Sequence, residues 1–295
     1  MLIKYRNLAR NTASILWFNT IPAVALFAGF SIAGGASLLA WGGVLLTTVP
    51  MLVWVGYVMA TQGVARTSER LPLINVQGAL GVGLAAYAMK LGQAGGLPLA
   101  LAVGMYLGFL WYSYSYAGFL NTRPSTRLTV GKAVPKFSAT RFDGSRIDSA
   151  TLFQRPCVVV FYRGNWCPFC VAQVKELAAR YQDIADKGLD LVFISPQPQQ
   201  KSLALSKRFG IQAKFLVDEG NAAARALGLA SEFGIPTGFQ ALGYDSETVM
   251  PTVLIVDAGG RLVWADQTDN YRVRPMPEVF LDVIAREGLA RTAAA

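Results

Sequence analysis

The chain has 295 residues, with 27 Lys and Arg against 18 Asp and Glu, and it contains no histidine. That absence removes every mechanism built on a Ser-His or Cys-His pair or on a His-ligated metal. Its hydrophobic share of 53% against a charged share of 15% is richer in apolar residues than soluble domains usually are.

The charges are unevenly spread. Residues 1–122 hold six basic residues (Lys4, Arg6, Arg10, Arg66, Arg70, Lys90) and one acid, Glu69, so the first part reads as membrane and the rest as soluble. These basic residues stand at the ends of apolar segments, which marks juxtamembrane anchors rather than a nucleic-acid footprint; no nucleic-acid partner is expected.

Four apolar segments, 13–34, 37–60, 72–92 and 97–121, approach the roughly 20 residues a helix needs to cross a bilayer. The third carries Asn75, Gln77 and Lys90, and a re-entrant or interfacial segment is its alternative reading. A cleaved signal peptide is not expected, because the first stretch is too long and runs through Gly34-Gly35 straight into the second. Lys4, Arg6 and Arg10, then Arg66 and Arg70, then Arg123, Arg127 and Lys132 mark one side of the bundle, whereas the other two loops are Gly-rich and uncharged. The positive-inside rule then predicts a multi-pass protein of the cell (inner) membrane with both termini in the cytoplasm. Trp17, Trp54, Tyr57, Trp111, Tyr112 and Tyr114 fall near the cytoplasmic ends, as an interfacial belt would. Gly104 and Gly108, spaced G-x-x-x-G, offer a site of close helix packing. Residues 1–122 contain no cysteine, so these segments carry no thiol relay of their own.

From about Leu128 short apolar runs alternate with helical stretches, which predicts an α/β sheet covered by helices. Strands are expected at 158–162, 189–194, 214–217, 252–256 and 261–265, and helices near 168–187, 199–209, 221–228 and 277–287. Asp257-Ala258-Gly259-Gly260 is the hairpin between the last two strands. The domain reading is a transmembrane helical domain over 1–122, a linker over 123–129, and an α/β domain over 130–295.

The chemistry lies in Phe161-Tyr162-Arg163-Gly164-Asn165-Trp166-Cys167-Pro168-Phe169-Cys170. A strand feeding a helix start aims the first thiol at free N–H groups, which favour thiolate, the attacking form. The second cysteine, one turn on, is placed to close a disulfide. A zinc site would need a second pair of ligands, and the only other cysteine is Cys157, at the start of the strand leading into the motif; it reads as a small buried hydrophobe. No cofactor beyond the dithiol is expected. Arg163 is either a thiolate- or peroxide-stabilising cation or a surface ion pair at a strand end. Trp166 is expected to flank the dithiol. Glu176 and Asp218 are candidate proton acceptors for which solvated or structural roles are the alternative.

Val130–Phe137, the Asp143-Gly144 turn, the Phe161–Cys170 motif, Ser195-Pro196-Gln197, Phe215–Gly220 and Met250-Pro251-Thr252 with Val256-Asp257 resemble the redoxin domains of the AhpC/TSA, peroxiredoxin-like branch of the thioredoxin superfamily. The resemblance covers roughly 130–285 and implies a thioredoxin-like fold. Peroxiredoxins carry a P-x-x-x-T-x-x-C loop, and alignment on Phe161-Tyr162 sets Arg163 at its proline, Cys167 at its threonine and Cys170 at the peroxidatic cysteine. The family's peroxide-polarising arginine aligns with Pro251. Cys167 and Pro251 fit the thioredoxin plan instead, with an N-terminal nucleophilic cysteine facing a cis-proline whose preceding residue, Met250, offers backbone groups to an extended substrate.

The leading expectation is therefore a membrane-anchored thiol-disulfide oxidoreductase with an antioxidant or thiol-redox role. In it Cys167 attacks a disulfide, Cys170 resolves, and a thioredoxin- or glutathione-type reductant regenerates the dithiol. Two alternatives stand beside it: a thiol peroxidase with Cys170 peroxidatic and Cys167 resolving, and a non-enzymatic redox sensor of the membrane part.

Overall fold

The computed structural model of the chain describes residues 2–118 and 124–289. Four long helices come first: α1 (Leu2–Ala33), α2 (Leu38–Thr61), α3 (Pro72–Lys90) and α4 (Gly96–Trp111), the last running into a π-helical turn over Tyr112–Tyr116. All four are long and apolar enough to cross a membrane, and α3 is the least apolar. Its Asn75 is satisfied from α4 and the turn after it: the Tyr106 hydroxyl donates to Asn75 Oδ1 at 2.6 Å, and the Asn75 amide donates to Tyr114 Oη at 3.2 Å. Backbone-to-backbone helix approach uses other glycines than the expected pair, of which Gly108 is closely packed and Gly104 is not. Gly43 and Gly81 face each other so tightly that a Cβ on either would lie 2.5 Å from the other's carbonyl oxygen, whereas Gly104 has open space around it and Gly108 is covered by the Trp17 indole. The end of the fourth expected segment and the first residue of the expected linker, Arg123, lie outside the described residues.

Backbone proximity divides the chain into two compact units. One is Ala9–Thr61 with Thr67–Gly118; the other is Met1–Leu8, Gln62–Arg66 and Phe119–Ala295. The first half of the connection between α2 and α3, Gln62–Arg66, is thus part of the unit that contains the α/β residues.

That unit runs β1 (Ser138–Thr140), β2 (Arg146–Asp148), α5 (Ser149–Leu152), β3 (Cys157–Phe161), α6 (Pro168–Ala179), α7 (Tyr181–Asp186), β4 (Asp190–Ser195), α8 (Gln199–Phe209), β5 (Lys214–Val217), α9 (Ala222–Ala226), β6 (Ala230–Ser231), β7 (Thr248–Val249), β8 (Thr252–Val256), β9 (Leu262–Asp266) and α10 (Pro277–Arg286). Seven strands form one sheet in the order β2-β1-β5-β4-β3-β8-β9, and β6 pairs with β7 separately. β3, β4 and β5 are parallel, and β8 runs antiparallel to β3 and to β9. The architecture is the expected thioredoxin-like one.

Every residue of β3 is buried, because the strand lies mid-sheet with both faces covered, the setting that an unbroken Val run suits. Val159 sits between Val192 and Leu254 in the ladder. The single helix expected over 168–187 is two, separated at Arg180, which leaves helical geometry while its guanidinium pairs with Asp183 and Glu278.

Asp218, one of the two candidate proton acceptors, has a structural task. Its buried carboxylate accepts the N–H groups of Ala223 at 2.7 Å and Ala224 at 2.9 Å, two of the orphan donors at the start of α9. Asp218→Ala leaves both unpaired and is expected to cost about 2 kcal/mol, or about 4–8 °C in the unfolding midpoint of a unit this size. Near-ultraviolet circular dichroism on heating checks this, with Asp218→Asn expected to lose less.

Candidate active site

β3 delivers the chain to the site at Phe161, after which Tyr162 donates its N–H to Ile194 O at 3.0 Å and the backbone turns away from the sheet. Gly164 makes the turn with φ +138°, and a Cβ there would meet the Trp166 indole at 2.9 Å, so a side chain is excluded twice over. Gln197, buried in the loop after β4, holds this segment: its Oε1 accepts Asn165 N–H at 2.8 Å, and its Nε2 lies within 3.0–3.1 Å of Asn165 Oδ1, Tyr162 Oη and Ser202 Oγ. Cys167 then caps α6 in extended geometry with Pro168 in the first turn, and Cys170 lies one turn in.

Cys167 and Cys170 are free thiols, 2% and 0% exposed. The cation that meets them is Arg274, buried in the loop between β9 and α10. Its Nη2 lies 3.3 Å from Cys170 Sγ, its Nη1 donates to Gln173 Oε1 at 2.6 Å, and its Nε donates to Tyr271 O at 3.0 Å. Gln173 is three residues beyond Cys170 on the same helix, so sulfur and amide share a face.

Burial works against a thiolate at Cys170, but a hydrogen bond from the Cys167 thiol, the charges of Arg274 and Arg163, and the Arg163 backbone N–H outweigh it. Cys170 is held well below the ordinary thiol value. Burial pushes Cys167 well above it, and giving its proton toward Cys170 adds to the shift. The lowered thiol is therefore the second cysteine of the motif, whereas helix-dipole reasoning expected the first. A specific cation and a donor thiol at Cys170 outweigh the general field of the helix start.

Arg163 is not at the surface. It is 8% exposed, donates to Gly234 O at 2.6 Å, and lies 4.4 Å from the Trp166 ring centroid and 5.2 Å from that of Tyr271. The expected alternative of a surface ion pair fails because these two rings and a carbonyl enclose it. Trp166 lies against the Arg163 guanidinium and meets Phe239 at 5.8 Å. Thr248 Oγ1 donates to Arg163 O at 3.0 Å and ties the loop to β7. Pro251 is buried immediately before β8, where Phe161 pairs with Thr252. The backbone of Met250 does not wait for a substrate: its N–H donates to Leu229 O at 2.8 Å, and its carbonyl accepts the Thr252 hydroxyl at 2.9 Å. Cys157 is fully buried in β3, and burial pushes its thiol up to about 12. Glu176, the other candidate acceptor, forms an ion pair with Arg66.

Sequence reasoning missed Arg274 and Gln173, and met Gln197 only within the motif Ser195-Pro196-Gln197 without a site role. Gln173 left a signal, a lone polar side chain among Val171, Ala172, Val174 and Leu177, all buried. Arg274 left none, since it lies more than a hundred residues from the motif in an irregular loop.

The contact has a pH signature. A thiol depressed in the folded state adds stability that is present above the ordinary thiol range and is lost as pH falls through the depressed value. Reduced protein is expected to form one thiolate below that range, read by ultraviolet thiolate absorbance. Arg274→Met moves this ionisation upward and reduces that stability. An unchanged titration in Arg274→Met contradicts the assignment.

Residues 130–265 match the family described as AhpC/TSA. A putative peroxiredoxin of Mycobacterium tuberculosis is 28% identical over 141 residues, covering 48% of this chain and 86% of that protein. A chloroplastic peroxiredoxin Q of Populus jackii is 26% identical over 128 residues, 43% of this chain and 60% of the other. Among solved structures, a peroxidoxin of Mycobacterium tuberculosis covers 54% of this chain and 97% of its own at 17% identity and a TM-score of 0.45. Over residues 130–265 the chain is thus similar to the AhpC/TSA family, and the four N-terminal helices that precede this stretch are apolar enough to span a membrane.

Proposed function

We propose that the protein is a membrane-anchored thiol peroxidase in which Cys170 is the peroxidatic residue and Cys167 the resolving one. The observation that carries this reading is the Arg274 guanidinium 3.3 Å from Cys170 Sγ. It places a fixed cation at the sulfur that must be thiolate to attack, and beside the oxygens on which charge develops. The thiolate of Cys170 attacks one peroxide oxygen; the O–O bond breaks, the other oxygen leaves with a proton as alcohol or water, and Cys170 becomes a sulfenic acid. The Cys167 thiol, already directed at Cys170, then forms the Cys167–Cys170 disulfide and releases water. One dithiol of the thioredoxin type, or two monothiols of the glutathione type, return two electrons and two protons.

This reverses the roles that the thioredoxin plan implies. Met250 has its backbone groups engaged internally and both sulfurs are enclosed, which favours a small peroxide over an extended disulfide substrate. Arg163 adds its charge and lies against the Trp166 ring. Peroxiredoxins among the relatives agree with this chemistry.

The four apolar helices serve as the anchor, and the loop charges support a redoxin domain on the cytoplasmic side. Asn7, Gln62 and Arg66 all bond residues of the α/β unit, which supports the N-terminus, the connection between α2 and α3, and the redoxin domain lying on one side of the membrane.

Serine replacements test the assignment on full-length protein in detergent. Cys170→Ser is expected to abolish peroxide consumption. Cys167→Ser is expected to consume about one equivalent, hold a sulfenic acid at Cys170 and fail to turn over. Arg274→Met is expected to slow the peroxide step by about 10²-fold. Disulfide reduction through Cys167 without peroxide turnover would instead establish the reductase chemistry.

A further inference from the structure

Arg274 does not hold itself in place. Its carbonyl oxygen accepts a hydrogen bond from Nε of Arg66 at 3.1 Å, and the next carbonyl, that of Pro275, lies 3.4 Å from Arg66 Nη2. The same guanidinium forms an ion pair with Glu176, on the helix that carries Cys170 and Gln173. One side chain therefore spans both elements whose separation sets the distance from cation to sulfur: the loop of Arg274 and helix α6.

Arg66 comes from outside the 130–265 redoxin stretch. It ends the stretch Gln62–Arg66, the first half of the connection between two helices apolar enough to cross a membrane, and this stretch is part of the same compact unit as the redoxin residues. Gln62, at the other end of the stretch, accepts a hydrogen bond from Arg208 at 2.8 Å on α8, so the segment is fastened at both ends. A planar guanidinium that pairs with a carboxylate and donates to a carbonyl in one orientation fixes relative position better than a lysine can.

We infer that Arg66 is a positioning residue for the Cys170 thiolate. It clamps the Arg274 loop to α6, so that the reactivity of the redoxin site depends on a residue supplied from between α2 and α3. The inference rests on the assignment of Cys170 as the thiolate. Arg66 touches neither sulfur; it acts through Arg274 on one side and Glu176 on the other.

The experiment uses full-length protein in detergent in a Cys167→Ser background, reading Cys170 thiolate absorbance and the second-order rate with hydrogen peroxide across pH. Arg66→Gln is expected to shift both profiles to higher pH and to lower the neutral-pH rate by about tenfold, the scale of a small misplacement of a catalytic group. Arg66→Lys is expected to restore little of it. Removing Arg66 also leaves Glu176 uncompensated near the site, so Arg66→Gln with Glu176→Gln separates position from charge: the inference expects the shift to persist in this pair. Arg66→Gln and Arg274→Gln are expected to be strongly non-additive, because each disables the same contact.

A profile unchanged in Arg66→Gln, a shift cancelled by Glu176→Gln, or additive effects of Arg66 and Arg274 would each overturn the inference. If Arg66→Gln does not fold, Arg66→Lys gives the same readout. A Cys170 that shows no lowered ionisation with Arg66 intact would instead overturn the assignment of the thiolate.

Discussion

The site depends on one interaction, a buried guanidinium against a buried sulfur. In water a cation near a thiol shifts its ionisation little, because solvent screens the pair. Cys170 and Arg274 are both enclosed, so the attraction is stronger there, and an uncompensated charge of either sign would be costly. Much of the surrounding structure serves to keep them opposed. Gln173 takes one arm of the guanidinium, the Tyr271 carbonyl takes Nε, and α6 presents Cys170 and Gln173 on one face.

The two cysteines are unequal because of where each stands. Cys167 caps the helix and gives its proton toward Cys170, while Cys170 receives that proton's hydrogen bond, the charges of Arg274 and Arg163, and a backbone N–H. A thiol that is protonated and aimed at its partner is poor at starting an attack but well placed to finish one. Once Cys170 carries an oxygen, the hydrogen bond between the two sulfurs marks the path along which a disulfide closes.

Much of this fold was legible in the sequence. The Val158–Val160 run fitted a strand buried on both faces, the apolar spacing beyond Pro168 marked the helix, and Asp257–Gly260 marked the hairpin. The short hairpin of β1 and β2 left too little periodicity to read, with three residues in each strand. At the site, local sequence identified the dithiol, Trp166 and Arg163 but not which sulfur is ionised. That is decided by Arg274, which topology brings from the loop after β9. The alignment that set Pro251 at the family's arginine was a statement about one position; the charge comes from another part of the chain. Likewise Arg66 read as a juxtamembrane anchor because its bonds to Glu176 and Arg274 are invisible to a charge count.

The central claim is the order in which the two thiols ionise, and an NMR pH titration of reduced, cysteine-selectively labelled full-length protein measures it site by site. The account predicts that the Cys170 β-carbon resonance passes through its ionisation below the ordinary thiol range while Cys167 stays protonated through it. Ionisation of Cys167 first, with Cys170 protonated, would contradict it.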